Sequence, residues 1–352
     1  MKKYLITALA IVSLAALSGC SLKNPISSTG TSSSGSIWKS SDGGKTWEFK
    51  NKTGEKTTLS AVDVLSIAIS PTDSKKVMFG TRENGIILTK DGGENLEATS
   101  FTSGKVYGLE INPGDENIVY ASGVWQGRGK IFKSQDFGKN WKEIYTSAAD
   151  GPLVISLTID RNNPQIIYAS TSDNQIIKTT NAGETWKNIF TGQNPVLKVA
   201  IDKSNSNLIY FITTAAIERS KNGGADFEDL SKLAADADKE ASNRDFSVVV
   251  TDPYNSNWVY AGGGMGILRS KNSGDTWEKV TILNNPQNFP VKALSISPAN
   301  SKEIIYGASQ AAYKSADEGI NWSTSQFESS KSVKVVRYST ADPSVVYLGL
   351  SK

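Results

Sequence analysis

Residues 248–277 read VVVTDPYNSNWVYAGGGMGILRSKNSGDTW, and the punctuation of this stretch decides the fold. A β-branched run ends at the turn Asp252-Pro253, and a second run closes on Val259-Tyr260-Ala261. After a glycine cluster, Ile267-Leu268-Arg269 leads into the octet SKNSGDTW, from which a fourth run departs. Short runs rich in β-branched and aromatic residues, bounded by turn residues, read as strands. Four such strands joined by tight turns describe one blade of a β-propeller.

The octet recurs as SSDGGKTW (40–47), TKDGGENL (89–96), SQDFGKNW (134–141), TTNAGETW (179–186), SKNGGADF (220–227), SKNSGDTW (270–277) and SADEGINW (315–322). Its acidic or amide residues are Asp42, Asp91, Asp136, Asn181, Asn222, Asn272 and Asp317, spaced 49, 45, 45, 41, 50 and 45 residues apart. Regular periods of this length mark a propeller or a solenoid. Glycine supplies the positive φ of a tight turn, and the Asp or Asn side chain hydrogen-bonds the turn backbone. The aromatic that follows (Trp47, Trp141, Trp186, Trp277 and Trp322 in five copies) starts the next strand and lodges between sheets. The octets are therefore read as structural. Asn in three of the seven argues against calcium or catalytic sites, and no metal or cofactor is expected.

Counting strands settles how the repeats close. First-and-second-strand pairs fall near 64–81, 106–122, 153–171, 196–213, 246–262, 291–308 and 333–350. The chain nevertheless begins with a third strand and an octet at 36–49, and it stops after a second strand. The C-terminal pair must complete the first blade, leaving no free edge. The expectation is all-β: one seven-bladed propeller over 36–352, as a monomer.

On these octets and the recurring Pro-x-x-x-x-x-Val/Ile-Tyr turns, the chain resembles the Asp-box (BNR) β-propeller superfamily over nearly all of 36–352. That superfamily includes sialidases, sortilin-type receptors, xyloglucanase-type glycoside hydrolases and photosystem II assembly factors. The resemblance implies the fold and says little of function. The Arg-Ile-Pro motif of sialidases does not occur in the sequence. Xyloglucanase-type enzymes place two carboxylates between two propellers, where this chain has one. In layout the chain is most similar to the assembly factors, but it lacks their arginine cluster. Its seven arginines are scattered as Arg82, Arg128, Arg161, Arg219, Arg244, Arg269 and Arg337.

Absences narrow the chemistry further. The 352 residues contain no histidine and one cysteine, Cys20. That excludes His-based triads, His-containing zinc sites and disulfides. Basic Lys2-Lys3, an apolar segment over 4–16 and Leu17-Ser18-Gly19-Cys20 resemble a bacterial lipoprotein leader (1–19), with lipidation at Cys20 and a Ser/Thr/Gly-rich tether over 20–35. The resemblance implies an exported protein of the cell envelope. Its anchor would lie in the outer membrane, or on the outer face of the plasma membrane where there is only one. Without Lys2 and Lys3 the formal charge of +3 becomes +1, which argues against nucleic-acid binding.

The expected role is a non-catalytic scaffold that binds a protein or glycan on the face away from the octets, where scaffolded loops carry function. Candidates there are Trp125 and Arg128, in a long second-to-third-strand loop (122–130), with Arg82, Phe101, Tyr145 and Phe289. Exposed aromatics and arginines are enriched at interfaces. A helix is expected over 230–244, capping that face. The alternative is a carbohydrate-active enzyme with a carboxylate pair. Aligned inner strands place Ala68, Glu110, Thr158, Ala200, Val250, Ser295 and Arg337 in one row. Only Glu110 and Arg337 are charged there; they could meet across the water-filled centre, but each is expected to be solvated.

Overall fold

The computed structural model describes residues 35–54, 57–59, 62–237, 239 and 245–352. The expected leader, Cys20, the tether up to residue 34 and Arg244 lie outside the described residues. Among these residues the strands form seven antiparallel four-stranded sheets. Blade 1 joins Ile37–Ser40 and Glu48–Phe49 to Ser332–Tyr338 and Val346–Ser351. Blade 2 begins at Val64–Ile69, blade 3 at Lys105–Ile111 and blade 4 at Val154–Ile159; blades 5, 6 and 7 begin at Lys198–Ile201, Phe246–Thr251 and Ala293–Ile296. These first strands are innermost, each against the next, and that of blade 7 meets Ser332–Tyr338, which in turn meets that of blade 2. The ring is closed.

Closure follows from strand pairing. Ile37, Trp38, Lys39 and Ser40 lie opposite Gly349, Leu348, Tyr347 and Val346, so the two ends of the propeller share one sheet. Between blades the walls are apolar. Five blades bury a tyrosine at one register position of the second strand (Tyr120, Tyr168, Tyr210, Tyr260 and Tyr347), and Met78 and Ile305 take that place in blades 2 and 7. Aromatic payloads of this size dominate core energetics.

Every octet docks on the turn between the first and second strands of its own blade. Amides of Gly43, Gly92, Phe137, Ala182, Gly223, Ser273 and Glu318 donate to carbonyls of Ser344, Lys75, Asn117, Gln165, Asn207, Asn257 and Lys302. Octets and first turns therefore share one face, called here the box face. Second-to-third-strand turns and links between blades form the loop face. Each octet's last glycine also seals a seam. Gly44 has φ +92°, and a Cβ there would lie 2.4 Å from Ile305 Cδ1 of blade 7. Both the positive φ and the close approach require glycine.

One helix is described, Ser231–Asp236, within the expected 230–244, of which residues 238 and 240–244 lie outside the described residues. Leu230 and Ala234 are buried in the wall between blades 5 and 6, so its first turn is core packing. Among the described residues, no helix is long and apolar enough to cross a membrane.

Candidate functional site

The octet side chains are occupied by their own turns. Asp136 Oδ1 accepts from the Asn140 amide at 2.8 Å and from Ser134 Oγ at 2.8 Å, and Oδ2 accepts from Asn140 Nδ2 at 2.7 Å. The Asn140 backbone hydrogen bond, with its side-chain one, holds the Asp136 pKa down at about 2. Asn substitutes without loss of geometry: Asn181 Oδ1 accepts from the Thr185 amide at 3.0 Å, and its Nδ2 donates to Thr185 Oγ1 at 2.9 Å. Trp47, Trp141, Trp186, Trp277 and Trp322 pack against the inter-blade clusters.

Two of the expected interface residues are core. Residues 122–130 are not a loop, because strands Val119–Trp125 and Arg128–Ser134 run through them with Trp125 opposite Arg128. Gln126 and Gly127 alone make the turn, both at positive φ (52° and 76°), as a tight hairpin requires. Trp125 is 8% exposed, donates from Nε1 to the Ser103 carbonyl at 2.6 Å and meets Phe101 edge-on at 4.5 Å. Phe101 is equally buried. Arg128 Nε donates to the Ser147 carbonyl at 2.9 Å. Arg82 binds Asp63 at 3.0 Å and also reaches Ser351 and the Lys352 carbonyl, tying blade 2 to the chain end. Tyr145 is half-buried, edge-on to Trp186. Phe289 stays exposed at 50%, in the link between blades 6 and 7 that also exposes Leu283.

A second set of basic residues is consumed structurally, and the sequence reading missed it. Immediately before the octet's Ser or Thr stand Lys39, Lys133, Lys178, Arg219, Arg269 and Lys314, with Leu88 in blade 2. Five of them donate to an octet carbonyl of the following blade: Lys133 to Ala182, Lys178 to Gly223, Arg219 to Ser273, Arg269 to Glu318 and Lys314 to Gly43. The Arg219 side chain is 2% exposed and also pairs with Asp275 and Glu228. The signal was a Lys or Arg directly before six of the seven octets, legible as a repeat feature though not as an inter-blade clamp.

Three basic residues without side-chain partners line the axis. A cavity of about 420 Å³ is lined by all seven residues of the aligned inner-strand row. Arg161, Lys198, Lys203 and Arg337 also line it, against two carboxylates, Glu110 and Asp202. Lys203 donates to the Tyr254 carbonyl, and Asp202 is taken up by the amides of Ser204, Asn205 and Asn257. Among the described residues Arg161, Lys198 and Arg337 make no side-chain hydrogen bond or ion pair. Burial pushes the Lys198 ammonium down to about 8, with Arg337 adding to the effect. Arg161 is solvent-accessible in the lumen, and desolvation by the surrounding walls lowers its pKa while Glu110 opposes the shift.

At the loop-face end of the axis stand Lys105, Lys292 and Lys334, all exposed and all without an ion pair. Lys334 is the extra residue of a β-bulge between the Val333 and Val335 pairs, a device that re-aims a side chain. Although solvent-accessible, Lys334 is partly desolvated by the crowded rim, which lowers its pKa, and Lys292 and Arg82 lower it further.

Carboxylates converge elsewhere. Glu218 lies across the ladder from Asp229 in blade 5, and burial together with Asp229 raises its pKa to about 7. Glu218 also pairs in register with Phe211 in the wall toward blade 4 and lines neither the axial cavity nor the groove at Trp141 and Tyr145. No cluster of carboxylates suited to a metal ion occurs among the described residues.

No family model matches the sequence. Over 120 residues, a third of this chain and 9% of that protein, it is 31% identical to the human VPS10 domain-containing receptor SorCS3. Over 143 residues, 40% of this chain and 12% of the receptor, it is 25% identical to human SorCS1. The chain thus spans about a tenth of the length of the curated relatives it matches. Among solved structures, the GH74 enzyme of Niastella koreensis superposes with a TM-score of 0.65 at 19% identity, covering 85% of this chain and 52% of the enzyme. YCF48 bound to D1 peptide superposes with a TM-score of 0.60 at 12% identity, covering 86% of this chain and all of YCF48. Identities this low establish a shared fold alone.

Proposed function

We propose that this Asp-box (BNR) β-propeller is a non-catalytic binding scaffold of the cell envelope, tethered through a lipid on Cys20, that docks an acidic protein segment on its loop face. The observation that carries the reading is the unpaired set Lys105, Lys292 and Lys334 around the axis, with exposed Phe289 three residues before Lys292 in the same link. Five of the basic residues that precede an octet are committed to inter-blade clamps, whereas these three converge on one rim with no ion pair. Complementary charge steers and orients a partner, and an adjacent aromatic supplies buried area. The sortilin-type receptors and peptide-bound YCF48 lend the reading support, as relatives or fold neighbours that bind.

The test is capture of partners from native envelope by the full chain and by a Lys105→Glu/Lys292→Glu/Lys334→Glu variant. A box-face Lys45→Glu/Lys139→Glu variant serves as the control. Capture should weaken with salt, vanish in the loop-face variant and persist in the control. Equal capture by all three proteins would sink the loop-face assignment. Separately, Cys20→Ser should move the protein out of the membrane fraction; its retention there would dismiss the lipid tether.

A second reading, a carbohydrate-active enzyme, is favoured by one feature. Glu218, held near pKa 7 beside Asp229, has the protonation of a general acid. Hydrolysis of a polysaccharide panel that disappears in Glu218→Gln would establish it, and no turnover would leave the binding reading.

A further inference from the structure

We propose that the axial cavity is a binding site for a small multivalent oxyanion, held between Arg161, Lys198 and Arg337. The site differs from the loop-face rim in position and in ligand, and it does not depend on that rim having a partner.

Three different blades deliver these cations. Arg161 stands in the first turn of blade 4, at the position that Pro71, Pro113, Pro253 and Pro298 occupy in four other blades. Lys198 opens the inner strand of blade 5, where the same pleat of blades 2, 3 and 4 carries only Ser66, Gly108 and Ser156. Arg337 lies on the inner strand of blade 1 and acts electrostatically on both Arg161 and Lys198. Like charges brought together without counter-charges destabilise a fold unless something compensates them. Glu110 is the one lining carboxylate free to do so, and it makes no ion pair.

The chemistry of the gap follows from the donors. Two guanidiniums present planar forks suited to carboxylate or phosphoryl oxygens, and the ammonium adds a point charge. With four lining cations against two carboxylates, the complementary ligand carries two or more negative charges. A cavity of about 420 Å³ admits a group the size of pyrophosphate or a tricarboxylate. Phosphoryl and carboxylate ligands share this recognition, so both are used as probes.

Binding of pyrophosphate, citrate and inorganic phosphate to the purified full chain is measured by titration calorimetry at low ionic strength. Pyrophosphate or citrate should bind saturably, one per chain, and more tightly than phosphate. Lys198→Met and Arg337→Gln should each weaken that binding by about tenfold or more, the loss expected for one charged hydrogen-bond donor. Lys198→Arg should retain it, and Lys292→Glu on the rim should leave it within a few-fold. Because the variants relieve repulsion, their thermal midpoints should hold or rise, which separates lost binding from lost folding. No saturable binding by any probe at millimolar concentration would overturn the proposal. Binding that the Lys198→Met and Arg337→Gln variants keep unchanged would overturn it as well.

Discussion

At the residue scale, a single carboxylate or amide per octet organises a turn that would otherwise leave amides unpaired. Asp136 is the clearest case, since three donors converge on it. Its pKa is depressed to about 2, so its contribution is full above the unfolded value of 3.8 and fades as the pH falls toward 2. Chemical unfolding of Asp136→Ala against the parent should therefore show a deficit at pH 7 that narrows between pH 4 and 2; a pH-independent deficit would contradict the assignment. Glu218 runs the other way. Its folded pKa is raised from 4.5 to about 7, so ionising it costs stability as the pH climbs through that window. Glu218→Gln should raise the melting temperature at pH 8 and leave it nearly unchanged at pH 4.5. A gain equal at both pH values would show that burial of Glu218 is not its origin.

At the scale of the element, the octets and strand order were legible in the sequence because they are local and repeated. The segment 122–130 was not, and the reason lies in its glycines. They suggest a loop, yet a Cβ on Gly123 would sit 1.7 Å from the Lys105 carbonyl oxygen and one on Gly129 would sit 2.1 Å from that of Pro152. They mark close backbone approach within strands, which composition cannot tell from a turn. Trp125 accordingly sits in a cluster with Phe101 and Phe132. Trp125→Ala should cost about 3–5 kcal/mol, the usual loss for a buried large aromatic. An unchanged denaturation midpoint would return Trp125 to the surface. The axial cations were half legible: aligned inner strands exposed Glu110 and Arg337, while Lys198 lies one pleat away and Arg161 in a turn. Only the closed ring brings them together.

At the scale of the whole molecule, the axial cavity depends on closure, because an axis lined from every blade exists only while the ring is complete. Blade 1 closes it by combining Ile37–Ser40 with Val346–Ser351. Lys331 reinforces the junction, pairing with Asp63 at 3.0 Å and donating to Ser36 Oγ and the Val62 carbonyl. A solenoid that loses a terminal half-repeat forfeits one neighbour interface and stays folded. A ring that loses half a blade exposes two strand edges and two apolar faces. The most direct measurement is thermal unfolding, with oligomeric state, of a chain ending at Lys331, alongside a permutant carrying residues 332–352 ahead of Ser36 on a short linker. The closed ring predicts aggregation or loss of cooperative unfolding in the truncated chain and recovery of both properties in the permutant. A truncated chain that remains monomeric and melts as the parent does would contradict it.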